Sequence, residues 1–243
     1  MAISVDSVYQ RVLGILNKEQ RGYVTAQEFN LFANQAQQDL FEQYFYDINQ
    51  FGRIPGNSTE YSDMLNLLNE KINIFETSAQ PTRTGNFFDE PTDLYRLGTV
   101  VYKNTTTNSF GVSSTESIEA ERINANEFLY INSSPLTKPK NVRPVFVANT
   151  NGIRVYGNSE ITDVTKVEFQ YIKKPAKVQW AYQIVFDEPL YNAANSVNFE
   201  LHPSEETELV IKILELSGIL IKDLNLYQVM NQEEQETIQQ EKA

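Results

Sequence analysis

The chain has 243 residues, with 32 Asp and Glu against 20 Lys and Arg, one His, no Cys and a formal net charge of −12. Without cysteine there is no disulfide framework and no thiolate chemistry, and any metal would need oxygen ligands or the single His202. Hydrophobic residues make up 41% and charged residues 21%, which is ordinary usage for a folded protein with a sizeable core and argues against wholesale disorder.

No apolar run approaches the roughly 20 residues a spanning helix needs. The start, Met1-Ala2-Ile3-Ser4, lacks a signal-peptide pattern, so the chain reads as cytosolic where it is made. The acidic excess is uneven: residues 1–80 carry 10 acids and 5 bases, 81–202 carry 13 and 12, and 203–243 carry 9 and 3. Such a surface repels phosphate backbones, so direct grip on nucleic acid is not expected, although DNA can slide along an acidic channel wall.

The predicted fold class is α+β: about three N-terminal helices in residues 1–80, a central, mainly antiparallel β-rich domain over 81–202, and a long C-terminal helix with an acidic Gln/Glu-rich tail over 203–243. Val5, Val8, Tyr9, Val12, Leu13 and Leu16 fall at helical spacing, with Asp6 and Ser7 in the first turn. Val24-Thr25-Ala26-Gln27-Glu28-Phe29 reads as a complete helix start: Thr25 caps, Glu28 closes a capping box, and Val24 staples onto Phe29. That second helix carries Phe29, Phe32, Ala33, Ala36, Leu40, Tyr44 and Ile48 on one face until Gly52 and Pro55. Asn34, Gln35, Gln37 and Gln38 lie on the other face. A third helix is predicted over 59–75, with Tyr61, Met64, Leu65, Leu68, Ile72 and Phe75 in register.

From Pro81 the texture changes to short apolar stretches separated by Asn, Thr, Ser, Gly and Pro. Strands are predicted at 95–103, 128–131, 144–148, 152–156, 164–172 and 178–185. In the fifth, Val167, Phe169 and Tyr171 alternate with Lys166, Glu168 and Gln170. The polar stretch 104–117 reads as a long loop or an extended hairpin tip. After Pro203, Ser204 and the acidic turn Glu205, Glu206 and Glu208, a helix carries a wide apolar arc: Leu209, Val210, Ile213, Leu214, Leu216, Leu220, Ile221 and Leu224. A wide arc faces two neighbours, and Leu209, Ile213, Leu216, Leu220 and Leu224 are the candidate oligomer interface.

No catalytic, cofactor-binding or metal residue is assigned. Residues 17–29 share an EF-hand loop's glycine (Gly22) and terminal Glu28, yet Arg21 takes a ligand position and Asn17 replaces the usual Asp, so calcium is not expected. His202 precedes Pro203 and reads as a local turn partner; no Ser-His-Asp or metal pair can be built on it. Phe88-Asp89-Glu90-Pro91 and Phe186-Asp187-Glu188-Pro189 repeat one tetrapeptide, marking either matching strand ends of a duplicated unit or turn chemistry met twice by chance. Trp180, Tyr182, Tyr171, Tyr191 and Phe199 would suit a sugar platform but also a core or an interface. Lys138, Lys140, Arg143, Lys173 and Lys174 are too sparse for a nucleic-acid patch and fit an acidic neighbouring subunit instead. Asn57, Asn104 and Asn132 head glycosylation patterns that have no meaning without secretion.

Several stretches together carry a family resemblance. They are Gly22-Tyr23-Val24-Thr25-Ala26-Gln27-Glu28-Phe29-Asn30 with Ala33-Asn34-Gln35-Ala36-Gln37 and Leu40-Phe41, then Pro91-Thr92-Asp93-Leu94-Tyr95-Arg96. Tyr171-Ile172-Lys173-Lys174-Pro175 and Phe199-Glu200-Leu201-His202-Pro203 complete the set. In these the chain resembles neck and tail structural proteins of podovirus-like tailed bacteriophages, including the crAss-like group. The resemblance implies a non-enzymatic adaptor forming a homo-oligomeric ring, of portal-like twelve-fold symmetry, in the virion neck or tail. Implied partners are copies of itself, the portal, adjacent neck and tail rings, and double-stranded DNA passing through the lumen without specific binding. No cofactor and no membrane is implied, and assembly takes place in the host cytoplasm. The alternatives from residues alone are a receptor- or glycan-binding tail module, resting on the aromatics, and a cell-wall hydrolase, resting on carboxylates.

Overall fold

In a computed structural model, the described residues are 3–18, 24–51, 59–107, 113–186, 188–221 and 232. Three helices come first: α1 (Val5–Lys18), α2 (Ala26–Phe51) and α3 (Thr59–Asn73). Then follow β1 (Glu76–Ala79), β2 (Arg83–Thr84), β3 (Phe87–Phe88), β4 (Leu94–Thr107), β5 (Ser113–Glu119) and β6 (Glu121–Arg122). After α4 (Ala125–Ser133) come β7 (Val145–Asn149), β8 (Gly152–Tyr156), β9 (Glu160–Ile161) and β10 (Val167–Lys173). The hairpin β11 (Tyr182–Val185) and β12 (Glu188–Tyr191) precedes α5 (Glu206–Ile221). The fold is α+β and its sheets are mainly antiparallel; among the described strands only β6 and β7 pair in parallel.

Two units share the chain: Met1–Ile74 with Pro175–Ala243, and Phe75–Lys174. In the helical unit, the predicted helical stripes are the buried ones. Val5, Val8, Val12 and Leu16 of α1, Phe29, Ala33, Ala36, Leu40 and Tyr44 of α2, and Leu68 and Ile72 of α3 are all in the core. The side chains of Tyr61 and Met64, together with Gly52 and Pro55, lie outside the described residues. The capping box at α2 is formed as read: the Thr25 backbone N–H donates to Glu28 Oε2 at 2.8 Å, and the Glu28 N–H donates to Thr25 Oγ1 at 3.3 Å. The Thr25 backbone N–H first, and the Thr25 hydroxyl that donates to the same Oε2 at 2.8 Å second, hold the Glu28 carboxyl below its ordinary value.

In the β unit one sheet has the order β1-β10-β4-β5, and a second runs β2-β3-β8-β7-β6 with β9 on β8. Their inner faces share a core of Phe88, Val100, Tyr102, Phe146, Ile153, Val155, Val167, Phe169 and Tyr171. The period of two predicted for 167–171 is the burial pattern of β10. Burial, followed by the Asp93 carboxylate that accepts from the Tyr171 hydroxyl at 3.0 Å, pushes the Tyr171 phenol up. Gly98 sits where the β10–β4 register slips, and a Cβ there would stand 3.0 Å from the Gln170 carbonyl oxygen.

Four expectations change. Residues 128–131 lie in α4 rather than a strand: Phe128 and Ile131, three apart, pack on Ile123, Val145 and Val147, and the Phe128 ring stacks on Tyr156 at 4.1 Å. An apolar run of four residues carries no period that separates helix from strand. The predicted strand 164–172 begins instead with a 3-10 turn, Val164–Lys166, because Asp163 accepts the Thr165 N–H at 3.0 Å and caps it. Of the predicted strand 178–185, only Tyr182–Val185 pairs as a strand. A long C-terminal helix is not shown: α5 as described spans 16 residues, and Leu224 and the Gln/Glu tail, apart from Gln232, lie outside the described residues. The stretch 104–117 is resolved in favour of a hairpin, β4 pairing β5 out to Thr107 and Ser113.

Candidate assembly surfaces

The arc of α5 divides between the chain's own core and what the structure leaves aside. Leu209 and Ile213 are fully buried in the helical unit and Leu216 is half-buried, while the Leu220 side chain and Leu224 fall outside the described residues. A side chain already withdrawn from water within its own subunit has no surface left to give to a second one. Besides single exposed apolar side chains such as Leu31 and Leu67, two groups of them stand out elsewhere in the fold.

The first is built from α2 outward. Asn34 and Gln37 of the predicted polar face, together with Asn30, turn their amides onto the extended segment 176–180. The Asn30 Nδ2 donates to the Trp180 carbonyl at 3.2 Å and its Oδ1 accepts the Trp180 N–H at 2.7 Å. Asn34 makes the same two bonds to Val178 at 2.8 and 2.9 Å, and Gln37 donates to the Ala176 carbonyl at 2.8 Å. Four helical residues rise about 6 Å and two extended residues about 6.6 Å, so Asn30 and Asn34, four apart, meet backbone groups two apart, and the longer Gln37 side chain, three further on, reaches the next. The intervening Gln179 bonds the other way, to Val197. The helix thus does the work of a neighbouring strand, which is why 178–181 does not pair in a sheet.

This ladder ends on Trp180, the base of the β11–β12 hairpin. Trp180 is only 2% exposed: its ring lies 4.1 Å from Tyr9, stacks with Tyr182 and Tyr191 at 5.7 and 5.8 Å, and donates from Nε1 to Asp6 Oδ1 at 3.0 Å. The Asn192 N–H to Ala181 carbonyl bond, 2.9 Å, closes the base. Beyond it the hairpin turns apolar on both faces: Ile184 sits opposite Pro189 on one, Val185 and Leu190 lie on the other, and Ile184, Val185 and Leu190 are exposed. At the tip Phe186 is 98% exposed and adopts φ +52°. Asn, Asp and Gly suit that left-handed region, and a bulky aromatic does not.

The second place is in the β unit. Helix α4 has no buried residue: its Phe128 and Ile131 lean on the sheet, while Leu129 and Tyr130 face water. The turn that follows exposes Leu136, at 92%, and Val142, beside exposed Lys138, Lys140 and Arg143. Val142 and Arg143 border a groove of about 420 Å3 between the ends of β4 and β5 and the edge strand β6, with Leu97, Ala120 and Phe146 among its walls. Arg143 reaches Glu121 across it at 3.0 Å.

The other sequence candidates scatter. Of the five aromatics, Trp180, Tyr182 and Tyr191 stack together at the hairpin base, Trp180 and Phe199 are buried, and Tyr171 belongs to the β unit. Asp89 accepts from Thr82 and Thr84 hydroxyls at 3.1 and 3.0 Å, tying the end of β3 back to β2. Asp187 and the Glu188 side chain are outside the described residues. His202 bonds locally, its Nδ1 lying 2.8 Å from Ser204 Oγ. Among the described residues no group of three His, Asp or Glu is placed to hold a metal ion, and no helix is long and apolar enough to cross a membrane. Set against known protein families and curated proteins, the chain matches no family model and no relative.

The signal for the amide ladder was present as Asn30, Asn34 and Gln37 on one stripe, but nothing local names its backbone partner. The hairpin tip was masked by a turn sequence without Gly or Asn.

Proposed function

We propose that the chain is a structural protein of a tailed-bacteriophage virion, forming a homo-oligomeric ring in the portal-neck-tail assembly that joins head to tail and continues the DNA channel. The single observation that carries the assembling part is the exposed apolar surface on the rigidly based β11–β12 hairpin and on the α4 ledge, a kind of patch that marks protein contact. The phage part rests on the resemblance running from Gly22 through His202 to Pro203. Its partners are then copies of itself, the portal and the adjacent neck or tail rings, with twelve-fold copy number following the portal, and its place is the virion after assembly in the host cytoplasm.

Charge supports the channel role. The helical unit carries 21 acids and 9 bases and the β unit 11 of each, so the whole excess of −12 belongs to one unit. An acidic lumen wall passes double-stranded DNA without holding it. Light scattering at high concentration, alone and with the portal, tests the proposal. A closed multimer or portal-bound ring is expected, and a chain that stays single and ignores the portal overturns it.

A further inference from the structure

We infer that the β11–β12 hairpin of one subunit docks on the groove and basic ledge of the β unit of a second copy of this chain, in a head-to-tail contact. The inference rests on the ring reading and names its joint. Three observations lead to it.

The two patches are complementary in charge. Residues 182–191 contain Asp187 and Glu188 and no base, whereas 134–143 contain Lys138, Lys140 and Arg143 and no acid. In each, the charges flank exposed apolar side chains: Ile184, Phe186 and Leu190 on the hairpin, Leu136 and Val142 on the ledge. Glu119 and Glu121 also border the groove, the latter already paired with Arg143, which leaves the two lysines to meet the hairpin's acids.

The tip is shaped for insertion. A phenylalanine that is both fully exposed and at positive φ is doubly unfavourable in an isolated subunit, and such a residue persists where the strain serves a contact. The exposed Leu136 and Val142 of the ledge, beside a groove of about 420 Å3 whose lining is otherwise mainly polar, offer an aromatic ring the apolar cover it lacks. Unlike patches on one chain make the contact heterologous, and a heterologous contact repeated by rotation closes into a ring.

The full-length chain and two exposed-site variants, Phe186→Asn and Val142→Asp, test this by native mass spectrometry and light scattering, with circular dichroism and melting to check folding. Each variant alone is expected to associate roughly tenfold or more weakly than wild type, with Phe186→Asn melting no lower. Mixed together they retain one intact hairpin and one intact groove between them, so a one-to-one dimer and nothing larger is expected. A ring that forms regardless of both substitutions overturns this contact and leaves the ring reading standing, as does a mixture without the dimer. A wild-type chain that stays single under every condition, portal included, overturns both.

Discussion

Two exposed hairpins in this chain obey the same strand geometry and solve the problem of water differently. The outer part of β4–β5 pairs Thr105 with Thr115, Thr106 with Ser114 and Thr107 with Ser113, and the Thr105 and Thr115 hydroxyls sit 3.2 Å apart. The β11–β12 hairpin pairs Ile184 with Pro189 and Gln183 with Leu190 and ends on Phe186. Hydroxyls satisfy an arm that stays wet, and nothing in hairpin geometry demands anything more apolar. The Ile, Leu and Phe of the second hairpin are therefore a departure from what folding alone requires, and its base is held far more firmly than a free two-stranded hairpin would be.

The strongest way to break that contrast is to remove the base. Trp180→Ala is expected to lower the unfolding free energy by about 3–5 kcal/mol, read by urea titration, and to free the hairpin as well. Next, Asn34→Ala strips partners from the buried Val178 N–H and carbonyl together, for a loss of about 1–3 kcal/mol in the same titration. Phe186→Asn reverses the sign: relief of the left-handed strain is expected to raise stability by up to about 1 kcal/mol while assembly falls. Thr115→Ala on the polar arm is expected to change stability by no more than about 0.5 kcal/mol and assembly not at all.

Acid sharpens the comparison of the two units themselves. Glu28 in the helical unit is held low by Thr25, and Glu168 in the β unit by the Lys103 ammonium first and the Ser78 hydroxyl second. A folded-state pKa below the unfolded one means stability that is present above the unfolded value and lost as pH falls through the folded value. Both units are thus expected to weaken on the acid side of the ordinary carboxylate range. Glu168→Gln should flatten that limb for the β unit alone, as followed by denaturation across pH.

Local signals were legible wherever the partner was near in sequence. The capping box of Thr25 and Glu28 spans three residues, the stripes of α1 and α2 repeat at the helical period, and β10 alternates at the strand period; each follows from backbone geometry that any chain must obey. The apolar stripe of α5 was equally visible, but periodicity reports that a face is covered and not what covers it, so Leu209 and Ile213 read alike as interface or core. Only packing placed them in the subunit's own interior.

What the tertiary structure decided depended on partners distant in sequence. Asn34 and Gln37 read as part of a polar face because the backbone they bind lies 144 and 139 residues away. The repeated Phe-Asp-Glu-Pro shows the same limit within one chain. Phe88 ends β3, pairs against Ile153 and is 1% exposed, while Phe186 caps a hairpin and is 98% exposed. Identical local chemistry met a sheet in one place and water in the other, because burial is set by which distant strands arrive to cover a side chain.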